Sequence, residues 1–161
     1  MAKGRGVVIS GTVEGLSKGY HGFHIHQEGE LGNDCKDAKG HFNPLKVGKT
    51  ASYKNLLQYN LTDTDSSNSL QKPHGNPHSL DRHVGDLGNI LTLGEGYGTE
   101  VLMMDRLITL AEGAVNSIAG RAVVIHAGRD DLGRGGDDGS LKTGNAGARV
   151  ACGVIRMVDY Y

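Results

Sequence analysis

Short apolar runs separated by glycine-rich polar stretches set the pattern of this chain. Residues 7–13 alternate loosely between apolar and polar positions and predict a strand that stops at Gly15. Residues 22–26 alternate more strictly, so His24 and His26 project from one strand face while Phe23 and Ile25 project from the other. Residues 101–104 predict a further strand, and residues 107–110 continue past Asp105-Arg106 to a turn at Glu112-Gly113. Residues 121–126 read as a short buried strand with Val123 and Ile125 opposite His126, and residues 150–158 as the last strand.

The intervals between these runs are long. Residues 29–86 carry no sustained period, apart from a stretch at 53–59 that would suit a short helix, and residues 128–147 mix glycines with charged side chains. Loops of that length in a compact domain usually carry function or are disordered.

Composition narrows the class. The 161 residues suit one domain, 1–161, with a real core; with no Trp and only two Phe, that core must rest on Val, Ile and Leu. Only 37% of residues are hydrophobic and 26 are glycine, which favours an all-β protein with demanding loops over a helical bundle. A net charge of −1 supplies no basic field for nucleic acid. No stretch approaches the roughly 18–20 apolar residues of a membrane span. Residues 1–6 lack the apolar run of a secretory signal, so the expected location is cytoplasmic. On that expectation the sequon Asn60-Leu61-Thr62 reads as chance, and Cys35 and Cys152 as two reduced, buried thiols.

The histidines change the picture. Neutral imidazoles held on one strand face are borderline ligands that suit copper or zinc. His24 and His26 form such a pair, and Gly40-His41-Phe42-Asn43-Pro44 follows downstream. His74, His83 and Asp86 add imidazoles and a carboxylate, a donor set matched to tetrahedral zinc. His126 ends a strand just before Asp130-Asp131-Leu132-Gly133. His21 reads as a structural histidine, His78 as an exposed loop residue and Asp137-Asp138 as a solvated pair.

Taken together, Gly22-Phe23-His24-Ile25-His26, Gly40-His41-Phe42-Asn43-Pro44, His83-Val84-Gly85-Asp86-Leu87-Gly88-Asn89, Lys142-Thr143-Gly144-Asn145-Ala146-Gly147 and Ala151-Cys152-Gly153-Val154-Ile155 make the chain resemble the copper–zinc superoxide dismutases. The resemblance implies an immunoglobulin-like, Greek-key β-barrel or sandwich with long metal-binding and electrostatic loops. It implies copper at His24, His26, His41 and His126, and zinc at His41, His74, His83 and Asp86, with His41 as the bridge. It further implies Asp130 as a carboxylate hydrogen-bonded to His24 and His74, a Cys35–Cys152 disulfide, and Arg149 beside the copper receiving the anion. Lys142 and Thr143 are implied to guide that anion, superoxide. A homodimer and delivery of copper by a chaperone belong to the same set of expectations. A non-enzymatic copy of the fold that binds or passes copper, or serves as an interaction domain, is the alternative.

The chain also departs from the family pattern. Its first strand resembles the family's third, so the first two strands are expected to be missing and two sheet edges to be exposed. About residues 46–72 form an insertion, whose segment 53–61, or else a partner chain, is expected to cover those edges. Gly139 and Gln27 stand where acidic residues are frequent.

Overall fold

The structure, a computed structural model, describes residues 6–44, 72–79 and 81–158. Six strands form two antiparallel sheets: β1 (Val7–Val13), β2 (Gly19–Ile25), β3 (Asp86–Thr92), β4 (Thr99–Asp105), β5 (Ala122–His126) and β6 (Arg149–Val154). One sheet is β1-β4, in a register running from Val7 opposite Asp105 to Val13 opposite Thr99. The other is ordered β3-β2-β5-β6. Neighbours far apart in sequence require the long crossing connections of a Greek-key sandwich. A 3₁₀ turn, Lys36–Ala38, and a short helix α1, Asp138–Thr143, lie in the loops.

The alternation seen in the sequence packs the two sheets together. Phe23 and Ile25 of β2, Ile125 of β5 and Val101 of β4 join Leu16, Phe42, Val84, Leu87, Ile90, Ile108 and Ile118 in one buried core. Burying each large side chain is worth roughly 1.5–3 kcal/mol. Because His24 and His26 alternate with Phe23 and Ile25, anchoring those two in the core fixes both histidines on the opposite face.

Several elements differ from the expectation. β2 begins at Gly19 and ends at Ile25, so His26 joins the sheet only through an isolated bridge to His41. Residues 107–110 do lead to the expected turn at Glu112-Gly113; Ile108 is buried, and Thr109 makes a single bridge with Ser117. β6 ends at Val154 rather than at 158. β3 had no forecast in the sequence, and neither did α1. Asp137 is not a plain solvated pair with Asp138, because its carboxylate caps α1 by accepting from the Ser140 N–H at 2.8 Å.

Two strands thus face four. Among the described residues no strand pairs with the outer edge of β1 or of β6. The inner-facing Ile9 and Val13 of β1, with Val123 and Ala151, are only half-buried along an apolar groove of about 200 Å³. The segment 53–61 expected to cover these edges lies outside the described residues.

Candidate metal centre

Each imidazole on the open face of β2 is aimed by its outer nitrogen. His24 donates from Nε2 to Asp130 at 2.8 Å, which leaves Nδ1 buried and without a partner. His26 donates from Nδ1 to the Lys39 carbonyl at 2.8 Å, and His126 from Nδ1 to the Gly147 carbonyl at 3.0 Å. Their Nε2 atoms then face each other at 3.4 Å with lone pairs free. His41 Nε2 is likewise buried with no partner. One nitrogen from each of His24, His26, His41 and His126 lies within 4.8 Å of the others. Four lone pairs turned toward one another, each ring fixed by an outer hydrogen bond or by Asp86, is an arrangement suited to a cation.

The second cluster gathers around Asp86. Its Oδ1 lies 2.8 Å from His41 Nδ1, 2.9 Å from His74 Nδ1 and 3.1 Å from His83 Nδ1. His74 Nδ1 is close to this oxygen yet has no hydrogen-bond alignment with it. Its proton is already committed from Nε2 to Asp130 at 2.7 Å. Ligands at roughly 2.0–2.1 Å around tetrahedral zinc stand about 3.3 Å apart, close to these separations. Asp86 Oδ2 accepts from the Gly75 and His83 N–H groups at 3.0 and 2.9 Å, so its Oδ1 is left for the cluster. His41 belongs to both groups, one nitrogen to each.

Electrostatics follow from burial. Desolvation pushes His24 down to about 3, against the pull of Asp130; it pushes His26 to about 2 and His126 to about 4. These rings are neutral at ordinary pH, as ligands must be. Burial also lowers His74, but its hydrogen bond to Asp130 and the adjacent Asp86 carboxylate outweigh it and raise the ring to about 9. Asp130 is itself held at about 2, because its bonds to His24 and His74 overcome its burial.

Asp130 therefore touches both clusters. It is fully buried, and Asn89 grips its backbone from both sides: Asn89 Nδ2 donates to the Asp130 carbonyl at 2.9 Å, and the Asp130 N–H donates to Asn89 Oδ1 at 2.7 Å. Gly144 sits in the left-handed region at φ 68°, and a Cβ there would overlap Asp130 Oδ1 and His74 Nε2. Neither Asn89 nor Gly144 was assigned a role from the sequence, because a polar residue in a strand and one more loop glycine carry no distinguishing pattern.

Arg82 was missed for the same reason. It is buried beneath the loop that carries His83 and Asp86, donates from Nη1 to the carbonyls of His83, Val84 and Asp86, and pairs with Asp105 at the end of β4. The guanidinium thus ties this loop to β4.

Cys35 and Cys152 are joined, with Cα atoms 6.1 Å apart, as the family resemblance implies and against the reduced thiols that a cytoplasmic location favoured. The bond pins the loop after residue 29 to β6. Arg149, at the start of β6, donates to the Cys35 and Lys39 carbonyls, and the Lys39 carbonyl also orients His26. The Arg149 charge contributes to the lowering of His26 and His126, so it is felt at the first cluster. Lys142 and Thr143 end α1, and the Thr143 hydroxyl donates to the Gly139 carbonyl. His21 spans the Ser17 and His126 carbonyls at 2.9 and 2.8 Å, and His78 lies in a turn.

Comparison with known proteins agrees with this geometry. The family described as copper/zinc superoxide dismutase (SODC) matches residues 1–155. The extracellular superoxide dismutase [Cu-Zn] of Haemonchus contortus is 46% identical over 152 residues, 94% of this chain and 68% of that protein. Superoxide dismutase [Cu-Zn] A of Xenopus laevis is 44% identical over 149 residues, 92% of this chain and 80% of that protein. The extracellular superoxide dismutase [Cu-Zn] of Caenorhabditis elegans is 42% identical over 151 residues, 94% of this chain and 56% of that protein. These names overturn the cytoplasmic expectation, since two of the three similar proteins are called extracellular. The expectation leaned on residues 1–6, which cannot report what precedes them in a longer protein. The ground for dismissing the sequon at Asn60 falls with it, although Asn60 lies outside the described residues.

Proposed function

The chain belongs to the copper/zinc superoxide dismutase family, and from that membership we propose which of its residues carry the reaction and how. It is an oxidoreductase that converts two superoxide anions and two protons to dioxygen and hydrogen peroxide, with copper and zinc as cofactors. The observation that carries the assignment of roles is the sharing of His41 between two buried donor sets. His24, His26, His41 and His126 hold the copper; His41, His74, His83 and Asp86 hold the zinc. Bound copper supplies the one-electron cycle that closed-shell zinc lacks, and zinc supplies fixed charge and geometry.

The chain's own groups do the rest. His41 Nε2, buried and without a protein partner, is the atom placed to carry a proton toward the nascent peroxide. Its Nδ1 belongs to the Asp86 donor set that zinc would hold together, so the ring would keep its place as the proton moves. Asp130 fixes His24 and His74 together, which keeps the two sites in register. Arg149, braced by two carbonyls, offers a positive charge to the incoming anion, and Lys142 extends that field. The disulfide holds the Lys39 carbonyl against His26 and so belongs to the copper side. Residues 1–161 act as one domain in this reading. Family membership supports a homodimer and delivery of copper by a chaperone, and sedimentation of the metal-loaded protein tests the first.

The experiment is superoxide decay followed by stopped flow on protein carrying both metals. Arg149→Glu is expected to slow turnover sharply while copper and zinc contents stay at the parent level. Turnover equal to the parent's would remove Arg149 from the anion's path.

A further inference from the structure

Helix α1 has no apolar anchor. Its six residues fall well short of the roughly 12–15 at which an isolated helix becomes even marginal in water. Ser140 is its only buried residue, and its one large apolar side chain, Leu141, is 48% exposed. A surface helix is normally kept in place by an apolar stripe against the core, and α1 lacks one. Polar contacts must therefore seat it.

Those contacts meet at Asp131, the residue after the carboxylate that touches both metal clusters. The Ser140 hydroxyl, fully buried, donates to Asp131 Oδ1 at 2.7 Å and accepts from the Gly135 N–H at 2.8 Å. The Gly133 N–H donates to the same Oδ1 at 2.9 Å. Asn145, just past the helix, donates from Nδ2 to Asp131 Oδ2 at 2.9 Å and to Asp137 Oδ2 at 3.1 Å. The Asp131 N–H in turn donates to the Gly144 carbonyl at 2.8 Å, so Asp131 grips the helix, its C-cap and the residue beyond. Gly135 passes so close over this group that a Cβ there would stand 2.4 Å from Asp131 Oδ2. The charge strengthens the bond from Ser140, and losing the hydroxyl would leave the buried Gly135 contact and one carboxylate oxygen short of a partner.

The seated helix holds His74 in turn. The Leu141 carbonyl accepts from the His74 N–H at 2.7 Å, and Gly144 lies against the bond between Asp130 and the His74 ring. We infer that Asp131 and Ser140 are positioning residues for the zinc centre: their hydrogen bond seats α1 so that the Leu141 carbonyl fixes the backbone of His74. The inference rests on the reading of His74 as a zinc ligand. Two neighbouring carboxylates thereby act on the two ends of one ligand. Asp130 orients the ring directly, and Asp131 holds the main chain through the helix. Asn145 supports Asp131 from the exposed side.

The test uses the protein carrying zinc and reduced copper, and reads amide hydrogen exchange by NMR alongside the rate of zinc release to a chelator. In Ser140→Ala the His74 N–H should exchange about tenfold faster or more, and zinc should leave about tenfold faster, while β5 amides and copper content stay at the parent level. Asp131→Ala should do the same. Asp131→Asn keeps one acceptor oxygen for the hydroxyl and should have the smaller effect, although both substitutions remove the same charge. The two residues should act as a unit, so the Ser140→Ala, Asp131→Ala double variant should release zinc within about threefold of the faster single variant. Parent-like His74 exchange or zinc release in Ser140→Ala overturns the inference. Equal effects of Asp131→Asn and Asp131→Ala, multiplied effects in the double variant, or faster exchange spreading into β5 overturn it as well. A parent protein that takes up no zinc refutes the zinc assignment of His74 instead, and exchange at the His74 N–H then still decides whether Asp131 and Ser140 seat α1.

Discussion

Replacing Asp130 by Asn keeps the side chain's shape and removes its charge. In the parent, Oδ1 accepts from His74 Nε2 at 2.7 Å and from the Leu132 N–H at 2.7 Å, while Oδ2 accepts from His24 Nε2 at 2.8 Å. An amide accepts on one side only and presents N–H on the other, so one ring loses its acceptor and the other keeps a neutral one. A hydrogen bond to a charged group contributes about 1.5–3 kcal/mol, and the loss of such an outer partner typically costs 10–100-fold in metal affinity. The two sites should not suffer equally. His24 sits on β2 and is paired to neighbouring strands through Val124 and Asp86, whereas His74 lies in the loop 72–79 and is held by its N–H to the Leu141 carbonyl at 2.7 Å. Zinc affinity should therefore fall about 10–100-fold and copper affinity less. Competition against chelators of known affinity, read separately for each metal, measures both. Affinities within about twofold of the parent, or a loss confined to copper, would refute Asp130 as the link between the sites.

Four further outcomes are expected. Metal-free protein should be most stable near pH 6–7. His24, His26 and His126, lowered to about 3, 2 and 4, stay neutral in the fold while the unfolded chain takes up protons below about 6.5, so stability falls with pH at up to about 4 kcal/mol per unit. His74, raised to about 9, acts oppositely: its contribution is complete below about 6.5 and is lost as the pH rises through 9, so denaturant melts across pH 4–10 should trace a single maximum. Gly144→Ala should lower zinc retention along with the melting temperature, since its Cβ would collide with the Asp130–His74 bond; calorimetry with metal analysis checks it. Arg82→Met should cost about 3–5 kcal/mol by leaving Asp105 without its buried partner, measured by denaturant unfolding. Reducing the Cys35–Cys152 bond should cost about 2–5 kcal/mol and loosen copper through the Lys39 carbonyl and His26, which copper competition reads.

Much of the site was legible because its chemistry is carried by residue type and order. His24 and His26 share a face by strand period, and the remaining ligands are imidazoles or a carboxylate in recognisable segments. β2 was legible from its strict alternation, β1 from a looser one, and β5 as a short apolar run of the buried type. β3 was not, because Asp86-Leu87-Gly88-Asn89 mixes a ligand, a glycine at φ 84° and a half-buried asparagine, and its opening residues are buried without alternation. Helix α1 was hidden by its brevity and by Gly139 within it, although Asp137 supplies the cap. Asn89 and Gly144 act on residues distant in sequence, and Arg82 joins the carbonyls of its own loop to Asp105 of β4, so no local pattern encodes what these three do. The location was misjudged for a different reason: the composition of residues 1–6 carries no information about where the protein is sent.

A crystal of the metal-loaded protein, with anomalous maps collected on either side of the copper and zinc absorption edges, locates each ion directly. Copper should appear among His24, His26, His41 and His126, and zinc among His41, His74, His83 and Asp86, with His41 contacting both. Either ion lying elsewhere, or His41 bound to only one of them, would contradict the shared site.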